Sequence, residues 1–235
     1  MSKWSNIFGK KHSKFVSSGK EAITKALELL GSKKVAIPSY TCNRVLEGTL
    51  DANCQPHIVD CGLDLQIDLE SLNNFKGDTV IVPHMFGIMS DIKPIKDLGF
   101  NIIEDCSQCL GLQDLGKYAD YVIVSVGGTK WLPCGGGGIL IGNDMEGGEV
   151  PSKISDRSDD IRKSLIKRTY FAQELLDAGI DLIGKDKPNA WMRGMYFTDT
   201  QKRTPYIPIH ELYGNFKCPI LDGYKNKLDW ISIYG

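Results

Sequence analysis

No run of apolar residues in this sequence approaches the roughly 20 that a membrane-spanning helix needs. The opening stretch, MSKWSNIFGKKH, has no apolar core, so no secretory leader is expected. Charge of one sign is also lacking. The net formal charge of −1 gives no electrostatic reason to expect nucleic acid or an anionic membrane as partner, and short basic clusters such as GKKHSK read as solvated surface. The seven cysteines are odd in number and scattered over a chain long enough to fold without staples. They read as reduced thiols in a cytoplasmic protein. Cys106 and Cys109 have CxxC spacing, but no second CxxC or CxxH completes four ligands and the pattern around a thioredoxin-type pair is missing. Small buried residues are the favoured reading there, and no metal is expected. No GxGxxG follows the first strand, which argues against an NAD-type Rossmann domain. Internal repeats and low-complexity tracts are absent.

What the chain does have is ordinary globular composition: 235 residues, 42% hydrophobic and 24% charged. That suits one large domain, or one with a small appendage. From residue 17 to about 142, helix and strand signals alternate. In SGKEAITKALELLG, Ile23, Ala26, Leu27 and Leu30 share a helical face, Ser17 or Ser18 caps the start, and Gly31 stops it. KVAIP, PHIVD, TVIVPHMFG, FNIIEDC, ADYVIVS and GGILIG read as strands. CNRVLEGTLDA and DLESLNNF read as helices, and DIKPIKDLG as a broken one. The strands are continuous apolar runs, which predicts an α/β fold with a mostly parallel sheet covered by helices on both faces. A polar stretch over 143–160 divides the chain into a large domain, 1–150, and a smaller C-terminal region, 151–235. In the latter, DDIRKSLIKRTYFAQELLDAGIDLIG predicts one or two helices, and the Pro- and aromatic-rich tail shows little periodicity.

Ligands of open α/β sheets sit beyond the carboxyl ends of strands. Asp105 follows FNIIE, Ser125 follows ADYVIV, Lys130 lies in the loop beyond, and SSGK enters the first predicted helix. Each has a bland reading. Asp105 could cap a helix, Ser125 could be a loop residue, Lys130 could reach into solvent along an apolar stem, and glycines 135–138 could be a tight turn. Together they suggest more. A lysine partly withdrawn from water becomes a nucleophilic amine, an aspartate can hold a protonated ring nitrogen, and a serine with helix N-terminal amides can hold phosphate. Those are the needs of pyridoxal phosphate, PLP.

Six segments in order resemble the DegT-type sugar aminotransferases, fold-type I PLP enzymes. SSGKEAITKAL is similar to the family's Ser-Gly-Thr-x-Ala-Leu helix start, and VAIPSYTCNRV to its strand-plus-Thr segment. PHIVDCGLDLQIDLESL and VIVPHMFGIMSDI resemble the next two. IIEDCSQCLG fits Glu-Asp-x-Ala-Gln-x-x-Gly, and SVGGTKWLPCGGGGIL fits Ser-x4-Lys followed by Gly-x-Gly-Gly. The resemblance implies that Lys130 joins the cofactor aldehyde and later shuttles a proton, and that Asp105 pairs with the pyridine nitrogen. It implies that Gln108 lies against the ring, and that Ser125 with the backbone of Gly19 and Lys20 binds phosphate. It further implies a seven-stranded sheet, a homodimer with sites at the subunit interface, and transfer of an amino group from glutamate to a keto sugar, nucleotide-linked, for surface polysaccharide. A non-catalytic homologue or partner subunit, and a PLP-dependent sugar dehydratase, are the alternatives; dehydratases tend to replace the lysine that Lys130 retains. Three positions depart from the pattern. Lys20 stands where Thr or Ser is usual, Cys42 where many members carry a stacking aromatic, and Gly136 where an acidic residue is usual. The family is usually longer, its Gly-x-Asn-x-Arg segment is not found after Gly142, and YIPIHELYG and DWISIYG resemble shortened remnants of its C-terminal region.

Overall fold

The computed structural model describes residues 2–197 and 228–233. In chain order, α1 is Lys3–Ile7, β1 His12–Val16, α2 Gly19–Leu30, β2 Lys34–Pro38, α3 Asn43–Asp51 and β3 Gln55–Val59. Then come α4 Leu69–Asn73, β4 Thr79–Pro83, a single 3-10 turn Met85–Gly87, α5 Lys93–Asp97, β5 Asn101–Asp105 and β6 Tyr121–Ser125. β7 Gly138–Gly142, α6 Ser152–Ser155, a second 3-10 turn Asp156–Asp160, α7 Ile161–Asp177, β8 Arg193–Phe197 and β9 Leu228–Ser232 complete the described chain.

Seven strands form one sheet in the order β1-β7-β6-β5-β4-β2-β3. β2 through β6 run parallel, and β7 is antiparallel to both β6 and β1. This is the mostly parallel α/β sheet that the continuous apolar runs predict. Alternate residues of each strand serve opposite faces. Val80, Val82, Ile102, Val122 and Val124 join Trp4, Leu72, Ile95 and Trp131 on one side. Ile81, Ile103, Ile123 and Leu140 join Ala22, Ile23, Leu27 and Leu46 on the other. With both faces covered, neither can be polar, which is why the strands show no hydrophobic-polar alternation.

The six predicted strands are present. The GKKHSK stretch is a correction in part: Gly9, Lys11 and Lys14 are exposed, but Lys10 and Ser13 are buried and the stretch enters a strand. His12–Val16 pair with β7 from Gly142 back to Gly138, and the Lys10 ammonium is buried, donating to the Ala119 carbonyl at 2.6 Å. A strand paired on only one edge, carrying Lys and His at alternate positions, has no apolar run to reveal it. DDIRKSLIKRTYFAQELLDAGIDLIG contains one long helix, α7. It and α6 send Ile161 and Ile154 into the same core as Trp131 and Val124. β8 and β9 form a separate antiparallel pair that takes in part of DWISIYG, whereas YIPIHELYG lies outside the described residues.

Candidate functional site

Asp105 and Ser125 are the last residues of β5 and β6, so parallel strands deliver both to one end of the sheet. The start of α2 meets them there. Ser18 caps that helix, its hydroxyl accepting from the Glu21 N–H at 3.1 Å, while the Glu21 carboxylate accepts from the Ser17 N–H at 2.7 Å. The hydrogen bonds from the Ser17 hydroxyl and N–H hold that carboxyl below its usual range. This reciprocal cap fixes the direction of the first turn, whose remaining N–H groups have no intrahelical acceptor.

Close approach at this point requires glycine. A Cβ on Gly19 would lie 2.8 Å from the Ser125 Cβ and 3.3 Å from its Oγ, so the first residue of α2 sits directly against the Ser125 hydroxyl. A Cβ on Gly138 would lie 2.4 Å from the Ser18 carbonyl oxygen. The end of the glycine run therefore lets β7 pass beneath the start of α2, which a bare tight turn would not require.

Lys130 is half-buried in the loop from β6 to β7. The residues that follow it are pinned. Trp131 and Leu132 are buried in the core, and the Trp131 indole N–H donates to the Ala190 carbonyl at 2.9 Å. The Arg168 guanidinium from α7 lies 5.2 Å from the Trp131 ring centroid and donates to the carbonyls of Trp191 and Ile233. The apolar residues that follow thus serve as anchors, and the lysine before them lines a cleft of about 400 Å³. Ser18, Gly19, Lys20, Asp105, Ser125 and Lys130 all line it. Among the described residues, neither the Lys130 ammonium nor the Asp105 carboxylate has a partner of opposite charge. Asp105 Oδ1 accepts the Ser107 N–H at 2.9 Å. Two unpaired charges face a cleft bounded by a serine hydroxyl and a helix N-terminus.

Gln108 is not among the cleft-lining residues. It is buried, its Oε1 accepting the Phe86 N–H at 2.9 Å and its Nε2 pointing to Met85 Sδ at 3.9 Å. Phe86 has φ 58°, a strained setting for a bulky side chain, and the Gln108 carbonyl supports that turn. Ser107 lines the cleft instead, and its hydroxyl accepts the Ser125 N–H at 2.9 Å. The sequence reading missed Ser107, although the Asp-x-Ser spacing is that of an Asx turn. It also missed Arg44, which lines the cleft from α3 beside Cys42. A larger groove of about 460 Å³, lined by Gln66, Asp91, Lys93, Tyr118 and Lys187, contains none of the predicted site residues.

Behind the site lies a closed polar network. His84 Nδ1 accepts the Ser90 N–H at 2.9 Å, which leaves Nε2 to donate to Glu104 Oε1 at 2.8 Å. Glu104 Oε2 accepts the Gly116 N–H at 2.8 Å, and the Cys106 thiol approaches Oε1 at 3.6 Å. These three side chains bring possible ligand atoms within 4.8 Å of one another, but the His and Glu atoms already have hydrogen-bond partners. Cys106 and Cys109 are free thiols, pushed up by burial first and the Glu104 charge second, so they are poor nucleophiles.

Solved structures share this architecture. NtdA from Bacillus subtilis, solved with bound cofactor PMP, matches with TM-score 0.84 at 19% identity over 98% of this chain and 71% of its own. AtS13 from Actinomadura melliaura matches with TM-score 0.81 at 15% identity over 98% and 84%. The fold is that of the PLP-dependent aminotransferases. More narrowly, the chain belongs to the DegT/DnrJ/EryC1/StrS aminotransferase family, whose model matches residues 2–159. A curated relative, UDP-N-acetyl-3-dehydro-alpha-D-glucosamine 3-aminotransferase of Acidithiobacillus ferrooxidans, is 26% identical over 156 residues, which cover 60% of this chain and 42% of that protein. The chain spans less than half the length of that relative.

Proposed function

We propose that this chain is a PLP-dependent aminotransferase that moves an amino group from an amino acid, glutamate in the first instance, to a nucleotide-linked keto sugar. We place that reaction in the cytoplasm, in the making of a surface polysaccharide or related glycan, with a homodimer as the working unit. The reading is carried by one observation: the Lys130 amine and the Asp105 carboxylate, neither with a partner of opposite charge among the described residues, share a cleft with the Gly19–Ser125 cradle. The residues fit the cofactor. A phosphate suits the Ser125 hydroxyl and the first turn of α2. A ring nitrogen that must stay protonated suits a carboxylate with no other cation. An aldehyde suits an amine free of ion pairing.

Bound there, PLP supplies a carbonyl that accepts the amino group and a ring that takes up electron density. The protein's work is positional and protonic. Lys130 would hold the cofactor through its amine, and that amine, once released, would take up the donor's α-proton and deliver it to the neighbouring carbon. Asp105 would keep the proton on the ring nitrogen, and the Ser107 N–H holds Asp105 Oδ1 so that the carboxylate faces one way. The family name and the name of the curated relative support the sugar substrate, and retention of Lys130 favours transamination over dehydration.

The test is spectroscopic. Purified protein incubated with PLP should turn yellow, bleach on glutamate addition, and recover colour only with the correct keto-sugar nucleotide. The Lys130→Ala variant should lose the lysine-linked band. Protein that stays colourless with PLP present would reject the assignment.

A further inference from the structure

Lys130 is held from one side only. Gly128 and Thr129, which precede it, are exposed, and a Cβ on Gly128 would meet nothing within 4 Å. Trp131, which follows it, is buried and gripped twice. Its indole N–H donates to the Ala190 carbonyl, and the Arg168 guanidinium lies over its ring. The same guanidinium joins that ring to two other segments. Arg168 Nη1 lies 3.2 Å from the Trp191 carbonyl oxygen, 3.4 Å from that of Met192 and 2.9 Å from that of Ile233, just beyond β9. Segment 188–192 in turn lies on the turn after β4. There the Met89 N–H donates to the Pro188 carbonyl at 2.9 Å, the Ala190 N–H to the Gly87 carbonyl at 2.8 Å, and the Met192 N–H to the Phe86 carbonyl at 2.9 Å. The approach is so close that a Cβ on Gly87 would lie 2.8 Å from the Trp191 nitrogen. Trp191 has φ 50°, and its N–H donates to Asn189 Oδ1 at 2.8 Å. With the segment bent in this way, the Ala190 carbonyl meets Trp131 while the next two carbonyls meet Arg168.

Arg168 has no carboxylate partner among the described residues, and burial alone lowers its guanidinium from the ordinary value. An apolar side chain of the same length would avoid that desolvation cost. What a guanidinium adds is a flat face for the indole and an edge of donors for carbonyls on separate segments. We infer that Arg168 is a positioning residue for Lys130: it clamps Trp131 to segment 188–192, so that α7 and the β8–β9 pair set the place of the amine in the cleft. The inference rests on the function proposed above and gives the C-terminal region a part in it, although Arg168 does not itself line the cleft. An amine that must meet an aldehyde and then two neighbouring carbons tolerates little displacement. A misplacement of about 1 Å can cost roughly a hundredfold in rate.

The experiment uses the full chain in three variants. Arg168→Met keeps the length without donors, Arg168→Lys keeps the charge without the planar fork, and the control Lys10→Met removes a buried hydrogen bond to Ala119 instead. Hydrogen exchange is read first, without cofactor. In Arg168→Met the Lys130 and Cys134 amides should exchange about tenfold faster, and those of β4 and β5 at the unmodified rate. Protein loaded with PLP is then mixed with glutamate in stopped flow. Bleaching at saturating glutamate should slow about tenfold or more in Arg168→Met, with the half-saturating concentration within about twofold, and Arg168→Lys should recover part of the rate. Lys10→Met should melt at lower temperature yet keep its rate per folded molecule. If Arg168→Met does not fold, Arg168→Lys and Trp131→Phe, which keeps a ring without the indole N–H, decide instead, each slowing bleaching about threefold or more. Variants that melt lower but keep loop protection and bleaching rate make Arg168 a stability residue and overturn the inference, leaving the function standing. Equal slowing in Lys10→Met overturns it as well. An unmodified chain that stays colourless with PLP brings down the function and the inference together.

Discussion

The N–H of Ser125 donates to the Ser107 hydroxyl at 2.9 Å, and this hydrogen bond ties the end of β6 to the loop that follows β5. The same Ser107 gives its own N–H to Asp105 at 2.9 Å. One residue thus sets the spacing between the proposed ring-nitrogen partner and the proposed phosphate ligand. Ser107→Ala should cost about 1 kcal/mol of stability, one net hydrogen bond, in urea titration. Alanine is also what the family pattern carries here, so fold and cofactor colour should survive while pyridoxal phosphate affinity falls by a few-fold. Full retention of affinity would show that the Asx turn alone holds the spacing.

Asp105→Asn should separate binding from turnover. The amide preserves shape and can still accept the Ser107 N–H, but it carries no charge to keep a ring nitrogen protonated. Colour with pyridoxal phosphate should persist, and the rate of bleaching by glutamate should fall by about a hundredfold or more, the usual scale for removing a charge aimed at a reacting centre. Stopped-flow absorbance measures it. A variant that bleaches at the original rate would remove Asp105 from the mechanism.

The His84–Glu104 pair is fully buried. His84→Ala leaves the Glu104 oxygen without its 2.8 Å partner and the Ser90 N–H without its acceptor. The expected loss is about 3 kcal/mol, the range for stripping one partner from a buried charged hydrogen bond. Chemical denaturation reads it directly. The backbone N–H of His84, which donates to the Asp105 carbonyl at 3.2 Å, is kept in this variant, so the carboxyl ends of β4 and β5 should stay joined and cofactor affinity should fall far less than stability.

Burial raises the Cys106 and Cys109 thiols, with Glu104 adding to the effect. A folded thiol that resists deprotonation binds a proton that the unfolded chain gives up. The stability it contributes is therefore present below the ordinary thiol range, near 8.5, and is lost as pH climbs above it. Native protein at pH 9 should resist alkylation at both positions, and urea-unfolded protein should react. The double variant Cys106→Ala, Cys109→Ala should show a shallower alkaline decline in stability. Rapid labelling of the native thiols would contradict their burial.

Much of this was legible in the linear chain. β2 and β4 through β7 announce themselves as apolar runs because both faces of the sheet are covered, and Ser18 and Gly31 mark the two ends of α2 through purely local backbone chemistry. Asp105, Ser125, Lys130 and the Gly19 turn could be named because strand ends and helix starts are local features. β1 was not legible. Its pairing with β7 joins residues more than a hundred positions apart, and its own side chains do not alternate cleanly.

The order of residue types therefore determined which elements form, where they stop, and which polar groups stand at the carboxyl end of the sheet. Tertiary structure alone decided the rest. Ser107 reaches the cleft and Gln108 turns away to support Phe86, although they are neighbours, because the loop after β5 packs against the turn after β4. Lys20 and Arg44 share a rim because Gly48 lets α3 close on α2. Periodicity reports which face of an element is buried; which side chains from separate elements meet is set by how closely those elements pack, and no local pattern encodes that distance.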